Sequence, residues 1–276
     1  MTEKTFLRFK NFIEETLGIK IPPSKKVMLE SRLGKRLRAL NLETYQEYCD
    51  FVFSPKGFDL EVQQLIDCVT TNETSFYREV NHFEYLTQTV LPEFASRRIA
   101  DLNIWSVAAS TGQEAYTLAM VVEDFMQSTG YRFRYRILGT DICEAVLRIA
   151  ETGIYTEHQA EKIPLLQKQR YCRKNRDPEQ KTIRISPKIR ANVSFRRLNL
   201  MSDTYPLQKQ YHIVFCRNVF IYFNRENQNK VLNRIFRNLI QGGYLFMGHS
   251  ENLGNTDLPL KSVSSAVYRK ENGGSS

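Results

Sequence analysis

Two strand ends in this chain carry residue types that could do chemistry. Ile104 to Ala108 is a short apolar run of β-formers, and Ala109-Ser110-Thr111-Gly112 follows it. A helical period carried by Tyr116, Ala119 and Met120 comes next, so the unit reads strand, small-residue turn, helix. Small side chains let a ligand approach the backbone, and Gly112 tolerates conformations denied to other residues. A second run, Tyr135 to Gly139, ends in Thr140-Asp141. A carboxylate there is placed to accept hydrogen bonds from ribose hydroxyls. The first turn lacks the G-x-G-x-x-G of a pyrophosphate site, and no G-K-[S/T] occurs. It suits a nucleoside cofactor without a pyrophosphate, such as S-adenosylmethionine, and equally an ordinary strand-to-helix connection.

The elements that must position these ends alternate from Asn103 onward, as a parallel sheet requires. After Tyr135 to Gly139 come a helix over Ile142 to Glu151, strands Val193 to Asn199 and Tyr211 to Cys216, a helix over Arg225 to Ile240, and strands Gly243 to Gly248 and Val263 to Arg269. Residues Tyr155 to Arg190 interrupt the rhythm with little helical period. Thr182-Ile183-Arg184-Ile185-Ser186 alternates like a half-exposed strand, which predicts an insertion with a small antiparallel hairpin. Gly273 to Ser276 reads as a disordered tail.

The first ~70 residues carry no strand signal and read as a helical bundle. Phe6, Phe9, Ile13 and Leu17 line a helix over Thr5 to Leu17, stopped by Gly18. Ser24 is placed to cap a helix over Lys25 to Leu40, Thr44 a third, and Ser54-Pro55-Lys56-Gly57 reads as a turn before a fourth. Lys25, Arg32, Lys35 and Arg36 share one face of the second helix at ~100° per residue, either as a solvated basic face or as a dock for an acidic partner. Thr70-Thr71-Asn72-Glu73-Thr74-Ser75-Phe76-Tyr77-Arg78-Glu79 has the composition of a capping loop. A short helix over His82 to Leu91, ended by Pro92, and a linker helix over Glu93 to Ile99 lead into the sheet.

The chain has 276 residues, a prior for two domains, and a formal net charge of +9 that attracts polyanions or acidic protein faces. No apolar stretch approaches the ~20 residues of a membrane span, and no signal core opens the chain. Five scattered cysteines without C-x-x-C read as reduced thiols of a cytoplasmic protein, and four isolated histidines suggest no metal-ligand cluster.

Phe215-Cys216-Arg217-Asn218-Val219-Phe220-Ile221-Tyr222-Phe223, taken with the Thr-Asn-Glu-Thr-Ser-Phe-Tyr-Arg and Ala-Ser-Thr-Gly-Gln-Glu-Ala-Tyr stretches, resembles the chemotaxis receptor methyltransferases of the CheR family. Gly139-Thr140-Asp141-Ile142, Asn199-Leu200, Gly242-Gly243-Tyr244-Leu245-Phe246 and Gly248-His249-Ser250-Glu251 extend the match in order over nearly the whole chain. Where the family usually has Gly-Glu-Glu-Pro-Tyr, this chain has Gly112-Gln113-Glu114-Ala115-Tyr116, keeping the second acid.

The resemblance implies an α/β fold: a Rossmann-like S-adenosylmethionine-dependent methyltransferase sheet with a small all-helical N-terminal domain and an antiparallel β insertion. It divides the chain into a helical domain at 1–92 with a cofactor-contacting loop at 70–79, a linker at 93–102, the methyltransferase domain at 103–270 with its insertion at about 156–190, and a tail at 271–276. It implies methyl transfer from S-adenosyl-L-methionine to glutamate carboxylates on the cytoplasmic helical bundle of chemoreceptors, by a monomer, without a metal, nucleic acid or membrane insertion. The implied cofactor contacts are Asn72, Thr74, Arg78, Glu114, Asp141, Asn199, Leu200, Arg217 and Asn218. In that reading Arg78 pairs with the methionine carboxylate, Glu114 faces its ammonium and Asp141 holds the ribose. Tyr222 would orient the acceptor, and Arg98, by family analogy, would hold its carboxylate. Lys25, Arg32, Lys35 and Arg36 would meet the receptor.

Two rivals follow from the charge and the cofactor. A nucleic-acid methyltransferase would carry Asp/Asn-Pro-Pro-Tyr at the strand end where this chain has Asn218-Val219-Phe220-Ile221-Tyr222. A non-catalytic S-adenosylmethionine sensor would not need Tyr222 and Arg98. Thr182 to Ser186 offers a possible edge for β-augmentation by a receptor tail. The turn from Lys174 to Gln180 lacks glycine, is crowded with charge and carries Pro178, so no tight tail binding is expected.

Overall fold

The computed structural model describes residues 1–271 apart from Pro178, Asn252 and Asn255. The tail expected at 273–276 and the Pro178 of the insertion turn therefore lie outside the described residues.

The N-terminal bundle packs α1 (Glu3–Leu17), α2 (Lys26–Leu40), α3 (Tyr45–Val52) and α4 (Pro55–Val69) around Phe6, Phe9, Ile13, Leu29, Leu33, Tyr48 and Leu65, all buried. The Thr2 side chain accepts the Thr5 N–H at the start of α1, and Gly18 ends it in the left-handed region at φ 70°. Thr44 caps α3 in a reciprocal box with Glu47. Two expectations fail here. Ser24 caps nothing, because Pro23–Lys25 forms a 3-10 turn and α2 starts after it with no side-chain cap. Ser54-Pro55-Lys56-Gly57 is the first turn of α4, with Ser54 accepting the Gly57 N–H and Pro55 at a position whose missing N–H costs nothing.

A continuous rod follows: α5 (Asn81–Tyr85), a π turn (Leu86–Val90) and α6 (Leu91–Ser96). Pro92 was expected to end the helix. Instead the preceding turn widens, with the Leu91 N–H reaching Leu86 O, and the rod continues through the proline.

The remainder is β1 (Asp101–Val107), α7 (Gln113–Thr129), β2 (Arg134–Asp141), α8 (Glu144–Thr152), β3 (Ile154–Thr156), α9 (Leu165–Tyr171), β4 (Cys172–Lys174), β5 (Thr182–Ile185), α10 (Pro187–Arg190), β6 (Val193–Arg197), β7 (Tyr211–Cys216), α11 (Arg225–Asn238), β8 (Leu239–Met247), β9 (Leu260–Ser264) and β10 (Val267–Lys270). Seven strands form the main sheet in the order β6-β2-β1-β7-β8-β10-β9. The first five are parallel, and β10 runs antiparallel to both β8 and β9. The single last strand read over Val263 to Arg269 is thus a hairpin that turns at Ala266, φ 54°. Ile104, Trp105, Ser106 and Val107 are buried in succession, as expected of a strand with helices on both faces.

Chain order proceeds outward from β1 to β2 and β6, then returns to the other side of β1 with β7. Ligand crevices of open α/β sheets lie at such a reversal, outside the carboxyl ends of the strands.

The insertion holds the expected antiparallel hairpin, β4 with β5, and a third strand beside it. It is a three-stranded antiparallel sheet in the order β3-β5-β4, beginning at Ile154. The Thr182 to Ser186 strand has β3 on one side and β4 on the other, so it offers no edge and the augmentation register read there is withdrawn. α9 and α10 also form where little helical period was legible.

Candidate functional site: a cleft between the helical domain and the sheet

The turn after β1 is held in an unusual conformation. Ala108, Ser110 and Gly112 take positive φ of 53°, 50° and 91°. Two of these are not glycine, and each such residue costs on the order of 1–3 kcal/mol unless its surroundings over-determine it. Here they do. The Ala109 N–H donates to Thr140 O at 2.9 Å, the Ser110 N–H to Asp141 Oδ2 at 2.8 Å, and the Ser110 hydroxyl to Asn72 O at 2.8 Å. The turn, the second strand end and the inter-domain loop are thereby one hydrogen-bonded unit.

Gly112 takes the conformation expected of it, φ 91°, and close packing adds a second constraint. A Cβ there would stand 2.8 Å from Ala150 Cβ and 3.0 Å from Phe195 Cζ, so it is close packing on α8 and β6, with its φ, that requires glycine. Ala108, Ala109 and Ser110 are the turn residues that face the cleft.

Asp141 ends β2, buried, with Oδ1 accepting the Cys143 N–H at 2.9 Å and Oδ2 that of Ser110. Burial pushes its pKa up, and these N–H groups pull it back. Each oxygen retains a lone pair for a hydroxyl.

The opposite wall is the 70–79 loop with the end of β7. Asn72, Thr74 and Arg78 line the cleft, and Arg78 Nη1 donates to Glu73 O at 2.9 Å. Arg217 is 2% exposed, its guanidinium held near Phe83 and Phe215. It pairs with Glu114 Oε2 at 3.1 Å and Glu79 Oε2 at 3.0 Å, and donates to Arg78 O. Glu114 also accepts the Ser106 hydroxyl at 2.7 Å. Burial pushes Glu114 up, against the pull of Arg217 and Ser106. Burial also pushes Glu79 up, but Arg217, Asn218 and His249 outweigh it and hold it below the usual range. Within this cluster one guanidinium stands between two carboxylates, and the Arg78 cation lines the cleft beside it.

Asn218 follows β7 with φ 58°. Its N–H and that of Phe220 donate to the Glu251 carboxylate at 2.8 and 2.7 Å, as does the Gly248 N–H at 2.7 Å. A Cβ on Gly248 would lie 2.7 Å from Glu251 Oε2, so glycine lets that carboxylate cross beneath the strand end. This buried clamp fixes the 3-10 turn Phe220–Tyr222. Tyr222 lines the cleft, half-buried, and its hydroxyl has no hydrogen-bond partner among the described residues.

The helical domain closes the cleft. Ile19 bridges to Phe223, and the Lys20 N–H donates to Tyr222 O at 2.9 Å. Asn199 lines the cleft with Leu200, but its side-chain amide donates to Thr16 O at 2.7 Å and its Oδ1 accepts the Met201 N–H. It holds the end of α1. Asp67 on α4 accepts the N–H groups of Glu144 and Ala145 at 3.0 and 3.1 Å, anchoring the start of α8.

Three expected site residues are not brought together with the rest. Arg98 is exposed at φ 55°, three residues before β1, at the amino ends of the parallel strands. The length of β1, roughly 20 Å, separates it from the cleft, so it cannot hold an acceptor there. Arg36 forms a bidentate pair with buried Glu61, at 2.6 and 2.9 Å. Lys35 is exposed and away from the cleft. Lys25 and Arg32 do reach the cleft, but Arg32 is committed to Val69 O at 2.6 Å, Thr70 O at 3.2 Å and the Thr71 hydroxyl. Those are the last carbonyls of α4, a natural seat for a cation. Two of the four basic residues, Arg32 and Arg36, are thus internal bracing.

Sequence reasoning missed Glu79, Ser110, Glu251 and the pair His82 and His249. Glu251 and His249 sat in a quoted stretch with no role attached. Glu79 had the only available signal, an acid beside Arg78 in the loop. His82 is 2% exposed, and burial first, then Arg217 and His249, push it down to about 4, while Glu79 and the Ser265 backbone pull the other way.

Two family models match the chain: "CheR methyltransferase, all-alpha domain" over residues 4–70 and "CheR methyltransferase, SAM binding domain" over 72–269. They meet on the inter-domain loop. A chemotaxis protein methyltransferase of Borreliella burgdorferi is 33% identical over 275 residues, 98% of this chain and 95% of that protein. One from Escherichia coli is 32% identical, covering 97% and 91% of the two chains. Chemotaxis protein methyltransferase 1 of Pseudomonas aeruginosa is 35% identical, covering 91% and 90%.

Proposed function

The chain belongs to the CheR methyltransferase family, and from that premise we propose that it methylates the side-chain carboxylates of glutamates on the cytoplasmic helical bundle of chemoreceptors. It is an S-adenosylmethionine-dependent methyltransferase. The observation that carries the fuller reading is the composition of one cleft: Asn72, Thr74 and Arg78 from the loop share it with Glu114 from the first turn of α7 and Asp141 from the end of β2, with Tyr222 beside them.

The donor groups fit such a cofactor. Asp141 keeps lone pairs for two ribose hydroxyls. Arg78 makes one bond to Glu73 O and has donors left for an α-carboxylate. The excess carboxylate of the Glu79–Arg217–Glu114 cluster favours a ligand bearing an ammonium and a sulfonium. Arg217 serves by holding the two acids, and Asn199 by holding α1, while Leu200 gives the cleft an apolar wall.

When bound, the cofactor would supply an activated methyl group to a carboxylate oxygen, its sulfur keeping the electron pair of the C–S bond. The acceptor has a pKa near ~4.3 and is ionised at neutral pH, so no base is needed. The protein's work is alignment and exclusion of water. Tyr222, fixed by the Glu251 clamp, donates its uncommitted hydroxyl to the acceptor carboxylate. Lys25 lies in the same cleft and supplies a cation for an acidic substrate in place of Arg98.

Incubation with methyl-labelled cofactor and a receptor cytoplasmic fragment tests the reading. Label released as methanol by mild base is expected; label stable to base, or found instead on DNA or RNA, would overturn it.

A further inference from the structure

Glu79, from the loop, His82, in α5, and His249, after β8, place their ligating atoms within 4.8 Å of one another. His82 Nδ1 is 3.5 Å and His249 Nε2 3.8 Å from Glu79 Oε2. Nitrogen and carboxylate ligands at roughly 2.0–2.2 Å from a tetrahedral zinc stand about 3.3–3.5 Å apart. The three atoms are therefore close to a coordination triangle already.

His82 supplies an independent pointer. It is 2% exposed and neither ring nitrogen has a hydrogen-bond partner among the described residues. The Ser265 backbone lies near enough to bias the ring without a hydrogen bond of normal geometry. Phe215 and Phe246 meet it edge-on, offering no acceptor. A buried, unpaired polar group is costly and calls for a partner. The His249 ring lies alongside, its centroid 4.6 Å from that of His82. His249 is 40% exposed, so an ion could enter from solvent and keep an open position. Arg217 opposes a cation, but Glu79 and Glu114 together outnumber it.

We propose that Glu79, His82 and His249 form a binding site for a divalent transition-metal ion of the zinc type, and that its occupation draws Glu79 away from Arg217. Two imidazoles and one carboxylate select zinc, cobalt, nickel or copper over magnesium or calcium. Methyl transfer itself does not use the ion. Glu79 Oε2 serves both networks, so metal and cofactor oppose each other's binding, by the same factor in each direction.

Cobalt(II) titration of the full chain, freed of metals by chelation, is the test. One ion per chain is expected, with visible bands of nitrogen and oxygen ligation and no thiolate charge-transfer band. His249→Ala, an exposed position, should weaken binding by at least about 100-fold, the upper end of what loss of a second-shell partner costs. Saturating zinc should lower affinity for S-adenosylhomocysteine in the wild type and leave it unchanged in His249→Ala. Absence of saturable binding, a thiolate band, or binding indifferent to His249→Ala would overturn the site. An equal effect of zinc on both proteins would overturn the coupling.

Discussion

Tyr222 stands in the cleft with a free hydroxyl, on a turn whose backbone is fixed by Glu251 and Lys20. Its packing survives loss of the oxygen, so Tyr222→Phe should lower kcat by about 10- to 10²-fold, the loss of one orienting hydrogen bond to a charged group, while cofactor affinity stays near normal. Unchanged turnover would remove it from the chemistry. Asp141 makes a contrasting case. Asp141→Asn places an amide N–H₂ against either the Ser110 or the Cys143 N–H and gives up a charge-assisted ribose contact. Affinity for S-adenosylhomocysteine should fall by about 1.5–3 kcal/mol in calorimetry; an unchanged value would contradict the ribose assignment.

The elements set how much of this was legible in the sequence. Alternating apolar runs announced the parallel strands, and the four bundle helices followed from their stripes and caps. The insertion's hairpin was legible through Thr182 to Ser186, but its third strand, Ile154–Thr156, is only three residues long, too short for a period to be seen. The π turn was hidden because Pro92 signals a stop unless a wide turn absorbs it. The basic face of α2 misled for a tertiary reason: helical spacing shows which residues share a face, and nothing local shows that Glu61 or the end of α4 lies against that face. Arg36→Ala should accordingly destabilise the helical domain by about 3 kcal/mol in denaturant unfolding, since buried Glu61 loses its bidentate partner. A change confined to receptor KM, with stability intact, would restore the docking role.

At the scale of the whole molecule, two domains meet over one cleft and are tied there by Asn199 to Thr16, Asp67 to α8, and Ile19 to Phe223. All nine expected cofactor residues line that cleft, because the quoted stretches are its walls; Arg98, expected to hold the acceptor, fell outside because family analogy gave no indication of which strand end it occupied. Acid stability of the whole chain should report His82. Its folded pKa, about 4, lies below the ordinary 6.5, so the unfolded chain binds the proton first. The favourable contribution is complete above pH 6.5 and declines as pH falls towards 4, a loss of roughly 3 kcal/mol. His82→Gln, compared in urea melts across that range, should flatten the decline; an unaltered slope would assign it to other groups. No helix among the described residues is long and apolar enough to cross a membrane, and the net charge of +9 favours an acidic partner surface.

The central claim is the identity of the acceptor atom. Peptide mapping by mass spectrometry of a receptor cytoplasmic fragment, after incubation with the enzyme and S-adenosylmethionine, addresses it directly. The account predicts one added methyl group on particular glutamate side chains, lost on mild alkaline treatment and strongly reduced when Tyr222→Phe is used at matched time. Methylation found on lysine or arginine nitrogen, or an unmodified receptor alongside active cofactor turnover, would contradict it.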